Sequence, residues 1–236
     1  MVTARLSPLS RRCLFRQRLQ DRIGVEALTL YRLATRRSYF PASYHALGAI
    51  FIHIPKCAGT SLGEALFGTG RPGHFEWRHY AAENPEAFRR YFKFAVVRDP
   101  VERFLSAHAY LIAGGKSAAD RAAGQDIAAH GDAASFLRSG FRAGGWQDYV
   151  HFRPQVRFIC DREGRLQVDL LARHETLAAD CAAIGARLGR PARLERRNVT
   201  PGGRPGREAL DPAALRVLAE AYRDDFAWLG YPEPDT

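Results

Sequence analysis

Along the 236-residue chain, apolar positions fall into two short, nearly unbroken runs and several longer stretches with helical spacing. Ala49-Ile50-Phe51-Ile52-His53-Ile54 and Phe92-Lys93-Phe94-Ala95-Val96-Val97 are β-prone and apolar almost throughout. A strand buried on both faces of a parallel sheet needs that composition. The first run stops at Pro55 and the second at Arg98-Asp99-Pro100. Behind the first, after a glycine-containing turn, Ser61 to Phe67 reads as the opening of a helix. A polar helix around Pro85 to Arg90 leads into the second run, and a further helix follows from Val101 to Ile112. This strand, loop, helix rhythm predicts a three-layer α/β domain with a central parallel sheet flanked by helices.

Elsewhere the pattern is less regular. Gly114 to Gly145 is rich in Gly, Ala and Ser, helical in places, and reads as a flexible insert or lid. Arg157 to Cys160 reads as another strand, followed by a turn at Glu163-Gly164. Leu177, Cys181, Ile184 and Leu188 have helical spacing, and Pro201 to Gly206 reads as a loop. In the last helix Asp211 stands as N-cap before Pro212 at the first helical position, with apolar residues recurring through Tyr222 and Phe226. Residues 1–47 form an Arg-rich leader, punctuated at its end by Pro41 and Gly48, and 48–236 form the body; no internal repeat is visible. Within the leader, Phe15, Leu19 and Ile23 recur among arginines at a spacing of four. That pattern suits a basic amphipathic helix, either packed on the body or resting on a membrane surface.

Length and composition narrow the class. At 46% hydrophobic residues the chain folds, and its length suits one sizeable α/β domain. A formal net charge of +10 favours an anionic partner, without choosing among nucleotide, charged glycan, nucleic acid and acidic membrane. Arginine carries nearly all of it: the lysines are Lys56, Lys93 and Lys116. Cys13, Cys57, Cys160 and Cys181 are scattered, with no Cys-x-x-Cys pair and no metal-type His spacing, so reduced thiols and no metal are expected. No apolar run reaches membrane-span length, and arginines interrupt any signal-peptide core. The expected location is cytoplasmic, with the leader as the candidate for peripheral contact with the inner membrane.

Two segments carry chemistry. In His53-Ile54-Pro55-Lys56-Cys57-Ala58-Gly59-Thr60-Ser61-Leu62 the loop between a strand and a helix offers backbone N–H groups and a helix N-terminus to an anion. Gly59 permits close approach, Thr60 and Ser61 add hydroxyls, and Lys56 supplies a point charge. The lysine precedes the glycine, so this is not a Walker loop. In Phe94 to Ser106, Arg98 stands at the strand end, where ligands of open α/β sheets bind, and its planar fork suits two phosphate oxygens. Ser106 follows two turns into the next helix. Arg103 fits the same pattern, with a salt bridge to Glu102 or Asp99 as the structural alternative. A Walker-B reading of Asp99 lacks its lysine loop.

Taken together, IPKCAGTSL (Ile54 to Leu62) resembles the 5′-phosphosulfate loop of PAPS-dependent sulfotransferases (PAPS is 3′-phosphoadenosine-5′-phosphosulfate), in the carbohydrate branch with its bacterial relatives. The second segment is similar to that family's 3′-phosphate motif. HFRPQVRFI, ARHETLAAD and AYRDDFAWLGY resemble its later blocks, so the likeness covers residues 49–231 and leaves out the leader. It implies a P-loop-NTPase-like form of the α/β domain and PAPS as co-substrate, with PAP, the desulfated nucleotide, as product. A carbohydrate or glycolipid hydroxyl is the implied acceptor, and no metal is required. Lys56 becomes the catalytic cation, Lys56 to Ser61 (with Cys57 and Ala58) the 5′ cradle, and Arg98 and Ser106 the 3′ contacts. The general base falls among His74, Glu76, His79 and Glu83, with His79 favoured on its distance before the second strand. His53 reads as structural, as do Glu175 and Asp225. His174 stands where the family normally has an aromatic. Arg196, Arg197 and Arg204 could close over the nucleotide or lie in a solvated basic loop, and Asn198 and Thr200 have no assigned role.

Two other classes compete. One is a P-loop-like kinase of a small alcohol, which Mg²⁺-dependent ATP turnover would reveal. The other is a non-catalytic basic module for nucleic acid or membrane, which salt-sensitive binding would reveal. No nucleic-acid-reading motif with interleaved aromatics is present.

Overall fold

A computed structural model describes residues 6–35, 37–68, 73–190 and 206–235. The leader contains helices α1 (Pro8–Arg22), α2 (Val25–Ala34) and α3 (Ala42–Leu47). There follow β1 (Ala49–Ile52), α4 (Gly59–Phe67), α5 (Trp77–Glu83), α6 (Pro85–Arg90), β2 (Phe92–Val97) and α7 (Pro100–Ile112). Then come α8 (Ala118–Ala128), α9 (Ala133–Phe136), α10 (Val156–Ile159), β3 (Leu170–Arg173), α11 (Leu177–Arg187), α12 (Pro212–Ala221) and α13 (Arg223–Leu229). The chain forms two compact units: Gln20–Arg98 with Gln155–Asn198, and Met1–Leu19 with Asp99–Pro154 and Val199–Thr236.

The first unit is α/β. Among the described residues its three strands are all parallel in the order β1-β2-β3, flanked by helices. Ala49 pairs with Phe92 and Ile52 with Ala95, while Val97 pairs with Arg173. β1 is buried at every position and β2 at all but its first, as expected of strands covered on both faces. Phe51 stacks on Phe94 at 5.1 Å between centroids, and Phe94 on Phe67 of α4 at 6.1 Å. Each such ring, fully buried, contributes on the order of 2–3 kcal/mol. Leu62 and Leu66 of α4 and Ile184 of α11 complete this core. The leader's second half belongs to it as well: Tyr39, Phe40 and Tyr44 are buried, and the Tyr44 hydroxyl donates to the Phe51 carbonyl at 2.7 Å.

Among the described residues the second unit is helical. α7 starts where Asp99 accepts the Glu102 N–H at 2.9 Å and Pro100 occupies a position that needs no donor. Phe104 of α7 packs on Phe136, Phe141 and Phe152, and Trp146 is fully buried beside them. α12 and the π-turn Leu137–Phe141 are joined by the ion pairs Arg138–Asp211 and Arg142–Glu220.

The structure corrects several expectations. Gly114 to Gly145 is not a lid: it supplies α8, α9 and the π-turn, and Ala123, Ile127, Phe136 and Phe141 are core residues. Its small residues serve packing, since a Cβ on Gly124 would lie 2.0 Å from the Leu111 carbonyl oxygen. Arg157 to Cys160 does not form a strand. Gln155 is helical (φ −66°, ψ −39°) and starts the single turn of α10; only Cys160 makes an isolated bridge, to Leu166. The third strand is β3 instead, four residues with one buried position, which is too short and too mixed to stand out as a run. The last helix keeps its Asp211 cap, with Ala214 N–H bonded at 2.8 Å, but breaks at Tyr222 into α12 and α13. On α1 the predicted apolar stripe faces outward: Phe15 is 67% exposed and Leu19 40%, while Leu14 is buried. Pro201 to Pro205 lie outside the described residues.

Candidate active site

The loop from Ile54 to Thr60 leaves β1 and enters α4. Two of its non-glycine residues have left-handed backbone, Lys56 at φ 70° and Ala58 at φ 58°. Such conformations cost of order 1–3 kcal/mol each and persist where the surroundings over-determine them. Ala58 is the N-cap of α4, and no side chain caps that end. As an alanine, Ala58 offers the first N–H groups of the helix no acceptor of its own, an arrangement suited to the anions of phosphate loops. Within the loop, residues alternate in exposure: Lys56, Ala58, Thr60 and Ser61 are partly exposed, whereas Cys57 and Gly59 are buried. The Cys57 thiol points inward, donating to Gln155 Oε1 at 3.5 Å, so what this residue offers outward is backbone.

Gly59 is required by a side chain rather than by its dihedral angles. A Cβ there would fall 1.8 Å from His53 Cδ2 and 1.9 Å from Nε2, and His53 is itself buried. His53 stacks on Phe51 on one side and meets the His74 ring at 4.3 Å on the other. The expected structural role of His53 fits this packing.

Arg98 follows β2, the strand paired directly with β1. It is buried, and its Nη1 donates to the Lys56 carbonyl at 3.4 Å. The two anion-type segments thus come together at adjacent strand ends. Gln155 braces the junction: its Oε1 accepts the Arg98 N–H at 2.9 Å and its Nε2 donates to the Arg98 carbonyl at 2.8 Å. Sequence reasoning assigned Gln155 no role, although it lies inside HFRPQVRFI.

The candidate bases differ in how they are held. His74 Nδ1 lies 3.1 Å from the His53 carbonyl. A carbonyl only accepts, so Nδ1 carries a proton, and in the neutral ring the lone pair is then on Nε2. His79 sits in the first turn of α5, and its Nδ1 is 3.2 Å from both the N–H and the carbonyl of Glu76. In the capping box of α5 it accepts, which leaves the proton on Nε2. Its ring packs on Tyr39 and Phe75. Glu76 is buried, caps α5 and pairs with Arg78. Glu83 accepts from Ser38 and from the Tyr39 N–H.

In the helical unit, Ser106 is half-buried on α7. Arg103, fully buried, donates to the carbonyls of His151 (3.2 Å) and Arg153 (2.8 Å) and faces Asp225 at 4.0 Å. Its ion-pair partner is therefore Asp225, not Glu102 or Asp99, and Asp225 is a structural partner as expected. Asp99 acts as a helix cap. Glu175 is exposed, and His174 opens a short 3-10 turn after β3. None of the four cysteines forms a disulfide. Among the described residues no group of acidic, His or Cys side chains could hold a metal ion, and no helix is long and apolar enough to cross a membrane. Arg196, Arg197, Asn198, Thr200 and Arg204 lie outside the described residues.

A parallel-sheet unit whose first strand ends in a strained, lysine-bearing loop at an uncapped helix start defines an α/β enzyme of the phosphate-loop kind. The chain belongs to the Sulfotransferase family, whose model matches residues 45–232. It is a sulfuryl-transferring enzyme. No curated protein and no solved structure matches it.

Proposed function

We propose that the protein transfers a sulfuryl group from PAPS to a hydroxyl of a carbohydrate or glycolipid. The observation that carries this is the bond from Arg98 to the Lys56 carbonyl, which joins the two anion-type segments at neighbouring strand ends. In this reading the loop N–H groups, Thr60 and Ser61 receive the 5′-phosphate, and Arg98 takes the 3′-phosphate through its fork. Ser106 joins it on the strength of its motif. Sulfuryl transfer passes through a loose, in-line transition state in which charge grows on the leaving oxygen. Lys56 neutralises that charge.

For the acceptor's proton, the fixed tautomer of His74 favours it over His79, the residue favoured on sequence spacing. The His53 carbonyl accepts the hydrogen bond from Nδ1 of His74, which in the neutral ring puts the lone pair on Nε2. His74→Ala is expected to lower turnover about 10²- to 10⁴-fold with PAP affinity retained. His79→Ala should cost about 1 kcal/mol through the α5 cap and leave turnover within a few-fold. The opposite ranking in a turnover assay would return the role to His79.

The donor assignment is tested by thermal unfolding with PAP. At ~100 times its dissociation constant PAP stabilises the wild type by about 2.7 kcal/mol, and Arg98→Ala and Ser106→Ala shrink the shift. A wild type indifferent to PAP that turns over ATP with Mg²⁺ would support the kinase reading. Salt-sensitive DNA binding without a PAP response would support the basic module.

A further inference from the structure

Beyond the last rung of β2, the main chain of Arg98 has left the sheet ladder, which on the β3 side ends at Val97–Arg173. Its N–H and C=O would need partners at a buried site. One side chain supplies both. The carboxamide of Gln155, fully buried, donates to the Arg98 carbonyl at 2.8 Å and accepts the Arg98 N–H at 2.9 Å. It thereby imitates one further strand residue and extends β2's support to the arginine. The same Oε1 also lies 3.5 Å from the Cys57 thiol, in the middle of the Lys56 to Ser61 loop, and the thiol shares its single proton between this oxygen and the Pro55 carbonyl at 3.6 Å. A carbonyl oxygen has two lone pairs, so both bonds fit its capacity. A single amide thus bonds the main chain of Arg98 and meets the side chain of Cys57, one residue in each anion-type segment.

We propose that Gln155 is a positioning residue that sets the spacing between the loop cradle and Arg98, so that one ligand bearing two phosphates engages both at once. This rests on the PAPS reading above. When two contacts are joined in one ligand, the gain in affinity depends on the geometry permitting simultaneous engagement, and a shifted second contact loses it. Gln155 touches neither phosphate in this account. It acts through the Arg98 backbone and Cys57.

The consequence separates positioning from general support. In Gln155→Met, which keeps the volume but removes both amide bonds, PAP should bind at least about tenfold more weakly. Adenosine 5′-phosphate and adenosine 3′-phosphate, each carrying one of the two groups, should change by less than about threefold. Titrations of the full chain with the three nucleotides give the ratios. Equal weakening of all three in a folded variant, or unchanged PAP affinity, would overturn the proposal. If Gln155→Met does not fold, Gln155→Asn serves. It keeps the amide but is one methylene too short to bridge both segments, and the PAP preference should fall with it; retention of the full preference would overturn the proposal. Hydrogen exchange at the Arg98 amide tests the clamp without nucleotide. It should quicken in either variant, and unchanged exchange would sink the clamp. A wild type that ignores PAP while this exchange still responds would instead sink the PAPS reading and leave the clamp standing.

Discussion

Lys56 and Ala58 hold left-handed backbone without being glycine, while Gly59 beside them is glycine for another reason. The surroundings hold the lysine in this strained conformation, and the glycine makes room for the buried His53 ring. Gly59→Ala is expected to destabilise the protein by about 1–3 kcal/mol, because its Cβ must displace an aromatic side chain with little room to move. Since His53 orients His74, turnover should fall with it. Thermal unfolding together with an activity assay checks both, and an unaffected variant would mean that His53 moves freely. At this scale the sequence made residue types legible: the lysine, the glycine and the arginine stood out in their motifs. What it left hidden were the partners. Nothing local ties Gln155 to Arg98 or Cys57, since those contacts are made only when distant segments meet, and a histidine's tautomer depends on which carbonyl faces it.

Among the elements, legibility followed the strength of local punctuation. α6 runs from Pro85 to Arg90 as predicted, where Asn84 accepts the Ala87 N–H, and β2 spans its predicted residues. The four-residue run Arg157 to Cys160 carried no period that separates strand from helix. The Gly- and Ala-rich stretch after α7 looked loose because small residues signal both flexible chain and tight helix contact. Its ordering depends heavily on one carboxylate. Asp120 of α8 accepts from Tyr149 at 2.9 Å, Tyr110 at 3.0 Å, His151 at 3.2 Å and the N–H groups of Lys116 and Ser117. Burial alone would raise its pKa, but the bonds from His151, Tyr149 and Ser117 hold it well below the usual carboxylate range. Asp120→Ala should cost about 3 kcal/mol or more, because buried donors lose their acceptor. Urea unfolding measures it, and a loss under about 1 kcal/mol would refute the role.

For the molecule as a whole, the titrating groups predict acid lability. Burial pushes the His108 imidazole down to about 4. Between the ordinary histidine value of about 6.5 and that level, the unfolded chain binds a proton that the folded chain refuses. Stability is therefore full above that window and falls as pH drops through it. Asp120, with its depressed pKa, adds a second loss below the ordinary carboxylate range. The unfolding midpoint should hold steady from neutral pH down to about 6.5 and then decline, and His108→Gln should flatten the first step. A flat midpoint down to about pH 4 in the wild type would contradict this.

The bonds between the Arg98 main chain and the Gln155 side chain have a topological consequence. The stretch Asp99–Pro154 departs from the strand-bearing unit and rejoins it at points that already touch. It is therefore an excursion with a closed neck, and it shares its compact unit with the chain's two ends, Met1–Leu19 and Val199–Thr236. A fragment simply cut after Arg98 would forfeit β3 along with the amide brace, so the strand-bearing body is continuous in space but not in the reading frame.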